Sequence, residues 1–179
     1  MNNRVFGIAL LLIGITGVGS SPLQAACPGG VSTFFTVSGD VTNRALFNLS
    51  KLQQFSPARA NVTYFAAGSV VTESFTGVLL WDLLNNAPVD GIVTNPNIKN
   101  DILPKVVIVT GTDCYQSVFG ASEFDPFFGG SQIMVAYATG GQSLGSAGFA
   151  RIVVPGDKAG GRFVSNIATI QVQDTTVDH

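Results

Sequence analysis

The stretch of residues 149–167 constrains the fold most strongly, because two apolar segments in it are separated by a break that neither a strand nor a helix crosses. Residues 152–154 (Ile-Val-Val) are β-branched, as in buried strands. Pro155-Gly156 ends this run, and a second apolar segment extends over 164–172. The chain therefore forms two strands joined by a loop at this point.

The loop between these strands has the composition of an anion-binding site. It carries Lys158 and Arg162, and Gly160 and Gly161 leave the backbone accessible. Arg151 lies at the start of the preceding strand and adds a third cation. Exposed backbone N–H groups together with Lys and Arg side chains bind anions in proteins. The loop is therefore predicted to hold an anionic group.

Short β-branched or aromatic segments bounded by Gly, Asp and Asn recur along the rest of the chain. The predicted strands are 34–37, 44–48, 61–65, 70–75, 105–110, 115–119, 132–137, 149–154 and 164–172. Three short helices are predicted, over 51–55 with Ser50 as N-cap, over 79–84, and from Ser122 as N-cap. Many strands with few short helices predict an α+β fold with a mixed β-sheet.

Residues 1–25 have the pattern of a secretory signal peptide. Arg4 supplies the positive charge, 5–18 form an apolar core, and Leu23-Gln24-Ala25 resembles a cleavage site. We therefore expect a secreted or periplasmic protein in which 26–179 form a single domain. A retained N-terminal anchor, or lipidation of Cys27, is the alternative. Beyond the signal, no segment is long and apolar enough to cross a membrane.

Charge and cysteine content narrow the partners and the compartment. The 179 residues include 9 Lys and Arg and 11 Asp and Glu, scattered without runs. This argues against nucleic acid or an anionic membrane surface as a partner. Cys27 and Cys114 are the only cysteines, and two cysteines in an oxidising compartment usually form a disulfide. Two free thiols, or a lipidated Cys27 with a buried Cys114, are the alternatives.

Most catalytic and metal sites are excluded by composition. The only histidine is His179, the last residue, so neither a Ser-His-Asp nor a Cys-His arrangement has a base. One histidine and two cysteines do not build a zinc or haem site. The carboxylates near turns and helix starts are better explained by structural roles: Asp113 by hydrogen bonds to backbone N–H groups of its turn, and Glu123 by interaction with the dipole at a helix start. No catalytic residue is predicted.

Three motifs, in order, resemble those of the molybdopterin-binding domain of the sulfite oxidase family. They are F-T-G-V-L-L-W-D-L-L at 75–84, V-T-G-T-D-C-Y at 109–115, and V-V-P-G at 153–156 followed by G-G-R at 160–162. The resemblance covers nearly all of 26–179. It implies the α+β fold of that domain, with a mixed sheet and short helices.

The same resemblance identifies the positions that hold the cofactor in the family. A cysteine thiolate ligates molybdenum there, within a pattern resembling V-T-x-x-C-A-G, and this chain has V-T-Y-F-A-A-G at 62–68. Ala66 stands at the ligand position and has no donor atom. Arg162 matches the arginine that contacts the pterin phosphate, whereas Ser165 replaces a lysine. The alternative is that Arg162 is a surface or turn arginine paired with Asp157 or with solvent. The resemblance therefore implies molybdopterin, while these substitutions predict that it is not bound.

The predicted function follows from the resemblance of the scaffold to the family together with the loss of the metal ligand. We expect an exported binding or accessory module that keeps the scaffold without redox chemistry and that binds a small anion or a protein partner. The alternative is a molybdopterin-dependent oxidoreductase with oxygen or solvent ligands around the metal. The candidate cofactor-binding residues are Lys158, Gly160, Gly161 and Arg162.

The family pattern also predicts the geometry of the site. Ala66 is expected at the floor of a remaining cleft, with its backbone close to the 160–162 loop. Tyr64, Phe65 and Tyr115 are expected to form aromatic walls around it.

Overall fold

The computed structural model describes residues 27–176. The predicted signal peptide at 1–25 and the terminal His179 lie outside the described residues. Within the described residues there are ten strands: β1 Phe35–Gly39, β2 Ala45–Phe47, β3 Ala58–Ala66, β4 Ser69–Leu79, β5 Lys105–Gly111, β6 Gln116–Gly120, β7 Met134–Thr139, β8 Gln142–Ser143, β9 Arg151–Val153 and β10 Ile167–Asp174. The helices are α1 Leu49–Leu52, α2 Leu80–Asn85 and α3 Ala121–Phe124, with 3₁₀ turns at Gly145–Ala147 and Gly160–Arg162.

One sheet combines parallel and antiparallel pairing. Its strand order is β2-β1-β10-β5-β6. The pair β1 and β10 is parallel, with Thr36 opposite Thr169, whereas β10 pairs antiparallel with β5 and β5 with β6. The strand near the C-terminus thus occupies the centre of this sheet.

The second sheet is antiparallel and carries the predicted site. Its order is β3-β4-β7-β8, and β9 pairs with a different part of β7. β3 and β4 form a long hairpin in which Ala58 is opposite Gly77 and Ala66 opposite Ser69. The outer edge of β3 has no neighbouring named strand among the described residues, so it borders a loop instead.

The inner faces of both sheets and the helices share one apolar core. Strand alternation explains which residues enter it. In β5, Val107 and Val109 are fully buried while Ile108 is half-buried, because it lies on the opposite face of the sheet. The apolar sequence of this strand suggests that both of its faces are buried. This expectation is wrong, because only one face enters the core. Trp81 is also half-buried, on the side of α2 that meets the edge of the Phe124 ring at 6.3 Å.

Two helices begin at residues other than the predicted caps. Asn48, and not Ser50, is the N-cap of α1, and its Oδ1 accepts a hydrogen bond from the Lys51 N–H at 3.0 Å. Asn and Ser are both favourable N-cap residues, so the residue types alone do not distinguish position 48 from position 50. α3 begins at Ala121 after Gly120, without a side-chain cap, so Ser122 lies inside the helix.

The predicted disulfide is present. A disulfide joins Cys27 and Cys114. Their Cα atoms are 5.4 Å apart, and the sequence separation is 87. The bond attaches the first described residue to the turn between β5 and β6. The Gly29 N–H also donates to the Thr112 carbonyl at 2.8 Å, which continues this attachment along the backbone. None of the helices within 27–176 has the length and hydropathy that a membrane span needs.

Candidate functional site

The site is built where the end of β3 meets the 157–162 loop. The Phe65 N–H donates to the Lys158 carbonyl at 2.8 Å, and Phe65 forms a parallel β-bridge with Ala159. The V-T-Y-F-A-A-G motif is therefore in direct backbone contact with the two residues that immediately precede the G-G-R motif, although the two motifs are far apart in sequence. The prediction that these two motifs approach each other is confirmed.

Glycine at position 160 allows this close approach. A Cβ there would lie 2.9 Å from Cε2 of Tyr64, which is tighter than carbon atoms tolerate. A Cβ at Gly161 would meet no atom within 4 Å. The Tyr115 hydroxyl donates to the Gly161 carbonyl and holds the loop from the other side. The loop thus lies against one aromatic ring and is hydrogen-bonded by a second.

A cavity of about 450 Å³ lies at this junction. Its lining combines β3, the following turn, one residue of β9 and the loop: Tyr64, Phe65, Ala66, Ala67, Arg151, Ala159, Gly160 and Gly161. Of the predicted site residues, Gly160 and Gly161 line it. Lys158 contributes its backbone carbonyl next to the cavity, and its side chain is exposed. Tyr64 and Phe65 form aromatic walls as expected, whereas Tyr115 contacts the loop without lining this cavity.

Arg162 is bound by two carboxylates. Its Nε donates to Asp157 Oδ2 at 2.9 Å and its Nη2 donates to Asp157 Oδ1 at 2.7 Å. Its Nη1 donates to Glu123 Oε1 at 3.0 Å, and the guanidinium lies 5.3 Å from the centre of the Phe119 ring. The hydrogen bonds to Asp157 raise the pKa of Arg162 above its usual value, and this effect outweighs burial, which lowers the pKa. This arginine joins the loop to α3.

Arg151 occupies the cavity wall without such partners. Its guanidinium carbon lies 5.7 Å from the ring centre of Phe75 and 5.8 Å from that of Phe163. Its Nε is buried and has no hydrogen-bond partner. None of the four ion pairs formed within residues 27–176 involves Arg151. It is therefore a cation held between two aromatic rings at the edge of the cavity.

Tyr64 links the cavity to a carboxylate. Its hydroxyl donates to Glu73 Oε2 at 2.8 Å, and its ring lies 4.7 Å from that of Phe163. Burial raises the pKa of Tyr64, the hydrogen bond to Glu73 raises it further, and the positive charge of Arg151 acts in the opposite direction. Glu73 is therefore engaged by a neutral hydroxyl that stands beside the Arg151 guanidinium.

The residues at the matched positions do not fit the metal end of a molybdopterin. Ala66 presents a methyl group where the family has a thiolate. Both Cys27 and Cys114 are in a disulfide and have no thiolate to offer. Within residues 27–176, no group of three or more His, Cys, Asp or Glu residues is arranged to hold a metal ion. The pterin phosphate would also have to compete with Asp157 and Glu123 for Arg162.

Comparison with solved structures shows a likeness to the sulfane dehydrogenase SoxCD of Paracoccus pantotrophus. The TM-score is 0.62 and the sequence identity 20%, over 82% of this chain and 39% of that one. No protein-family model matches the chain, and no curated protein matches it. At this identity the likeness concerns the fold alone, and the chain spans about two fifths of the SoxCD chain. The predicted α+β fold with mixed sheet is confirmed.

Two parts of the site were not singled out from the sequence. Glu73 follows the alternating pattern of β4, which places it on the same face as Phe75, and this alternation was the available signal. The pairing of Arg162 with Glu123 joins residues 39 positions apart and had no sequence signal. Asp157, five positions before Arg162, was visible as a candidate partner.

Proposed function

We propose that this protein is an exported binding module that keeps a sulfite oxidase-type scaffold without its redox chemistry. One observation carries the proposal: Ala66, Gly160 and Gly161 line one cleft, and Ala66 has a methyl group where the family resemblance places the metal ligand. A concave site with apolar walls and few polar groups is suited to binding a ligand or a partner's side chain. None of the residues within 27–176 that line the cleft is a His, Cys, Asp or Glu.

The second candidate is a molybdopterin-dependent oxidoreductase with a non-cysteine metal shell. The likeness of the fold to a sulfane dehydrogenase favours it. Against it stand the Ala66 methyl group and the two carboxylates on Arg162. A soft thiolate is the ligand type that the family uses for this metal, and oxygen donors from solvent would have to replace it.

Metal analysis of the protein purified from its native compartment separates the two candidates. The binding-module proposal predicts no stoichiometric molybdenum. Molybdenum near one atom per chain would overturn it and establish the oxidoreductase. Mass spectrometry of the same material tests export, because cleavage of the predicted signal gives a chain that begins at Ala26. An intact N-terminus at Met1 in the mature protein would contradict the export prediction.

A reconstruction tests whether the cofactor was lost at the identified positions. The variant Ala66→Cys with Ser165→Lys is expressed in a host that makes molybdopterin. We expect it to take up molybdenum when the parent does not. The matched control is Ala67→Cys with Ser165→Lys, because Ala67 is the next residue along the cleft wall. Equal uptake by the control would show that residue 66 is not the ligand position.

A further inference from the structure

We propose that Arg151 binds a carboxylate in the cleft, and that Arg162, the arginine which the family pattern identifies, does not. This inference rests on the proposed binding function and names the ligand class for that site. The carboxylate belongs to a small organic acid or to an acidic side chain of a partner. The chemistry that recognises it is the same in both cases.

The charge of Arg151 is available, whereas that of Arg162 is not. Three N–H groups of Arg162 are taken by Asp157 and Glu123 at 2.7–3.0 Å. Arg151 makes no ion pair with any carboxylate of residues 27–176, and its buried Nε lacks an acceptor. The Nε itself is buried, so a ligand in the cleft would meet the outer N–H groups of the guanidinium rather than the Nε–H. A ligand carboxylate would accept hydrogen bonds from these outer groups and balance a positive charge that no ion pair within residues 27–176 balances.

The guanidinium is also held in place. Phe75 and Phe163 lie at nearly equal distances from its carbon atom, 5.7 and 5.8 Å. Arginine pairs well with aromatic faces, and its planar fork matches the two oxygens of a carboxylate. Little side-chain freedom remains to be lost when a ligand binds, which favours binding.

The walls of the cavity set the size and polarity of the ligand. Ala66, Ala67 and Ala159 offer methyl groups, and Phe65, half of which is exposed at 51%, forms an aromatic edge. No atom lies within 4 Å of the Cβ position at Gly161, so there is room above the loop. A cavity of about 450 Å³ holds a small molecule or a single side chain. An acid with an apolar body fits this lining better than a fully polar one.

Glu73 favours one negative charge over two. Its carboxylate is one hydrogen bond away from Tyr64, which itself stands beside Arg151. A second negative charge on the ligand would be repelled by Glu73, because like charges repel and Glu73 lies close to the Arg151 guanidinium. A monoanionic carboxylate is therefore preferred to a dianion such as sulfate.

The test is an NMR titration of the mature protein with sodium benzoate, with sodium acetate and sodium sulfate as comparison ligands. Sodium chloride keeps the ionic strength constant, because screening alone changes surface electrostatics. The amide signals of Ala66, Gly160 and Gly161 and the Nε–H signal of Arg151 report on the cleft. We expect saturable shifts with benzoate, weaker binding of acetate because it has a smaller apolar body, and weaker binding of sulfate because of its second charge.

Three variants assign the binding to one residue. Arg151→Met should weaken benzoate binding at least tenfold. Arg162→Met and Lys158→Met should leave the dissociation constant within about twofold of the parent, which corresponds to less than half a kcal/mol. Lys158→Met is the control if Arg162→Met folds poorly. The Lys158 side chain is exposed and takes part in none of the ion pairs within residues 27–176, so its loss should not affect folding.

The outcomes are distinct. Unchanged benzoate binding in Arg151→Met, or tighter binding of sulfate than of benzoate, would overturn this inference. Molybdenum measured in the same preparations decides the proposed function separately. A protein without molybdenum that also fails to bind benzoate would contradict the carboxylate site alone, while stoichiometric molybdenum would contradict the binding module itself.

Discussion

Arg151 and Arg162 lie at the start of β9 and at the end of the turn that follows the next loop, and they differ in what surrounds them. Arg162 is enclosed by Asp157 and Glu123, which together accept three hydrogen bonds from it. Arg151 is enclosed by two aromatic rings and faces a cavity. One arginine fixes the loop to α3, and the other leaves its charge at the surface of the cleft.

The difference shows that the match of a residue to a family motif does not establish its role. Arg162 matches the arginine of the family motif in position, yet its charge is balanced within the protein. The carboxylates that balance it come from the loop itself and from another element. Arg151 precedes the motif and forms no ion pair with a carboxylate of residues 27–176, because the nearby Glu73 is hydrogen-bonded to the Tyr64 hydroxyl. The availability of a cation thus depends on the carboxylates around it more than on the cation's own position in the sequence.

The largest expected contrast lies in stability. Arg162→Met removes three charge-assisted hydrogen bonds and leaves Asp157 and Glu123 without their cation. We expect it to lower the free energy of unfolding by about 1–2 kcal/mol, a value reduced for the solvent exposure of the pair. Arg151→Met loses cation–π contacts but also removes an unsatisfied buried N–H, so its effect should stay within about 0.5–1 kcal/mol.

Urea unfolding of the two variants measures this difference directly. Equal destabilisation by the two substitutions would contradict the distinction between a structural and an available arginine. The matched length of the methionine side chain limits changes in packing. A stabilised Arg151→Met variant would sharpen the contrast further.

The next contrast is between the two glycines of the loop. Gly160→Ala places a Cβ 2.9 Å from the Tyr64 ring, and this ring is packed against Phe163 and cannot move freely. We expect a loss of about 1–2 kcal/mol, as for other overpacked sites. Gly161→Ala, with no atom within 4 Å, should stay within about 0.5 kcal/mol. Thermal melts compare the pair, and equal effects would show that the loop is not held against Tyr64.

The smallest expected effect concerns pH. The pKa of Tyr64 is raised in the folded protein, first by burial and then by the bond to Glu73. Because the folded pKa lies above the unfolded value of about 10, the resulting stability is complete below pH ~10 and is lost as the pH rises through the folded pKa. Tyr64→Phe should remove this alkaline loss and cost about 0.5–1.5 kcal/mol at neutral pH.

Melting temperatures of parent and Tyr64→Phe between neutral and alkaline pH, together with tyrosinate absorbance, provide the measurement. Tyr137→Phe is the control, since Tyr137 is a half-buried tyrosine of β7. A parent protein that loses no more stability at alkaline pH than Tyr64→Phe would contradict the raised pKa.

Local sequence patterns predicted the strands well, because alternation and turn residues act over a few positions. The stop at Pro155-Gly156, the β3–β4 hairpin and the contact of the 62–68 motif with the 160–162 loop could all be anticipated, the last of these from the family pattern. Strand ends moved by a few residues, and Asn48 replaced Ser50 as the cap of α1. Two good caps so close together cannot be ranked without knowing where the helix packs.

The features that could not be predicted depend on contacts between distant residues. Ile108 is as apolar as its neighbours, yet it faces away from the core because β5 has one covered face. The pair Arg162–Glu123 requires α3 to lie beside the loop. The Arg151 guanidinium lies between two aromatic rings only because Phe75 from β4 and Phe163 after the loop meet there. Each of these follows from the arrangement of the sheets, which no local pattern encodes.

The central position of β10 has a consequence for the order in which the protein assembles. β10 lies between β1 and β5 and joins them into one sheet. Until residues 167–174 have been synthesised, β1–β2 and β5–β6 remain two separate hairpins with exposed edges and an open core. Long-range pairing of this kind slows folding and prolongs the exposure of apolar surface. The central strand of this sheet therefore cannot be placed, and the sheet cannot be completed, until nearly the whole length of the chain is available.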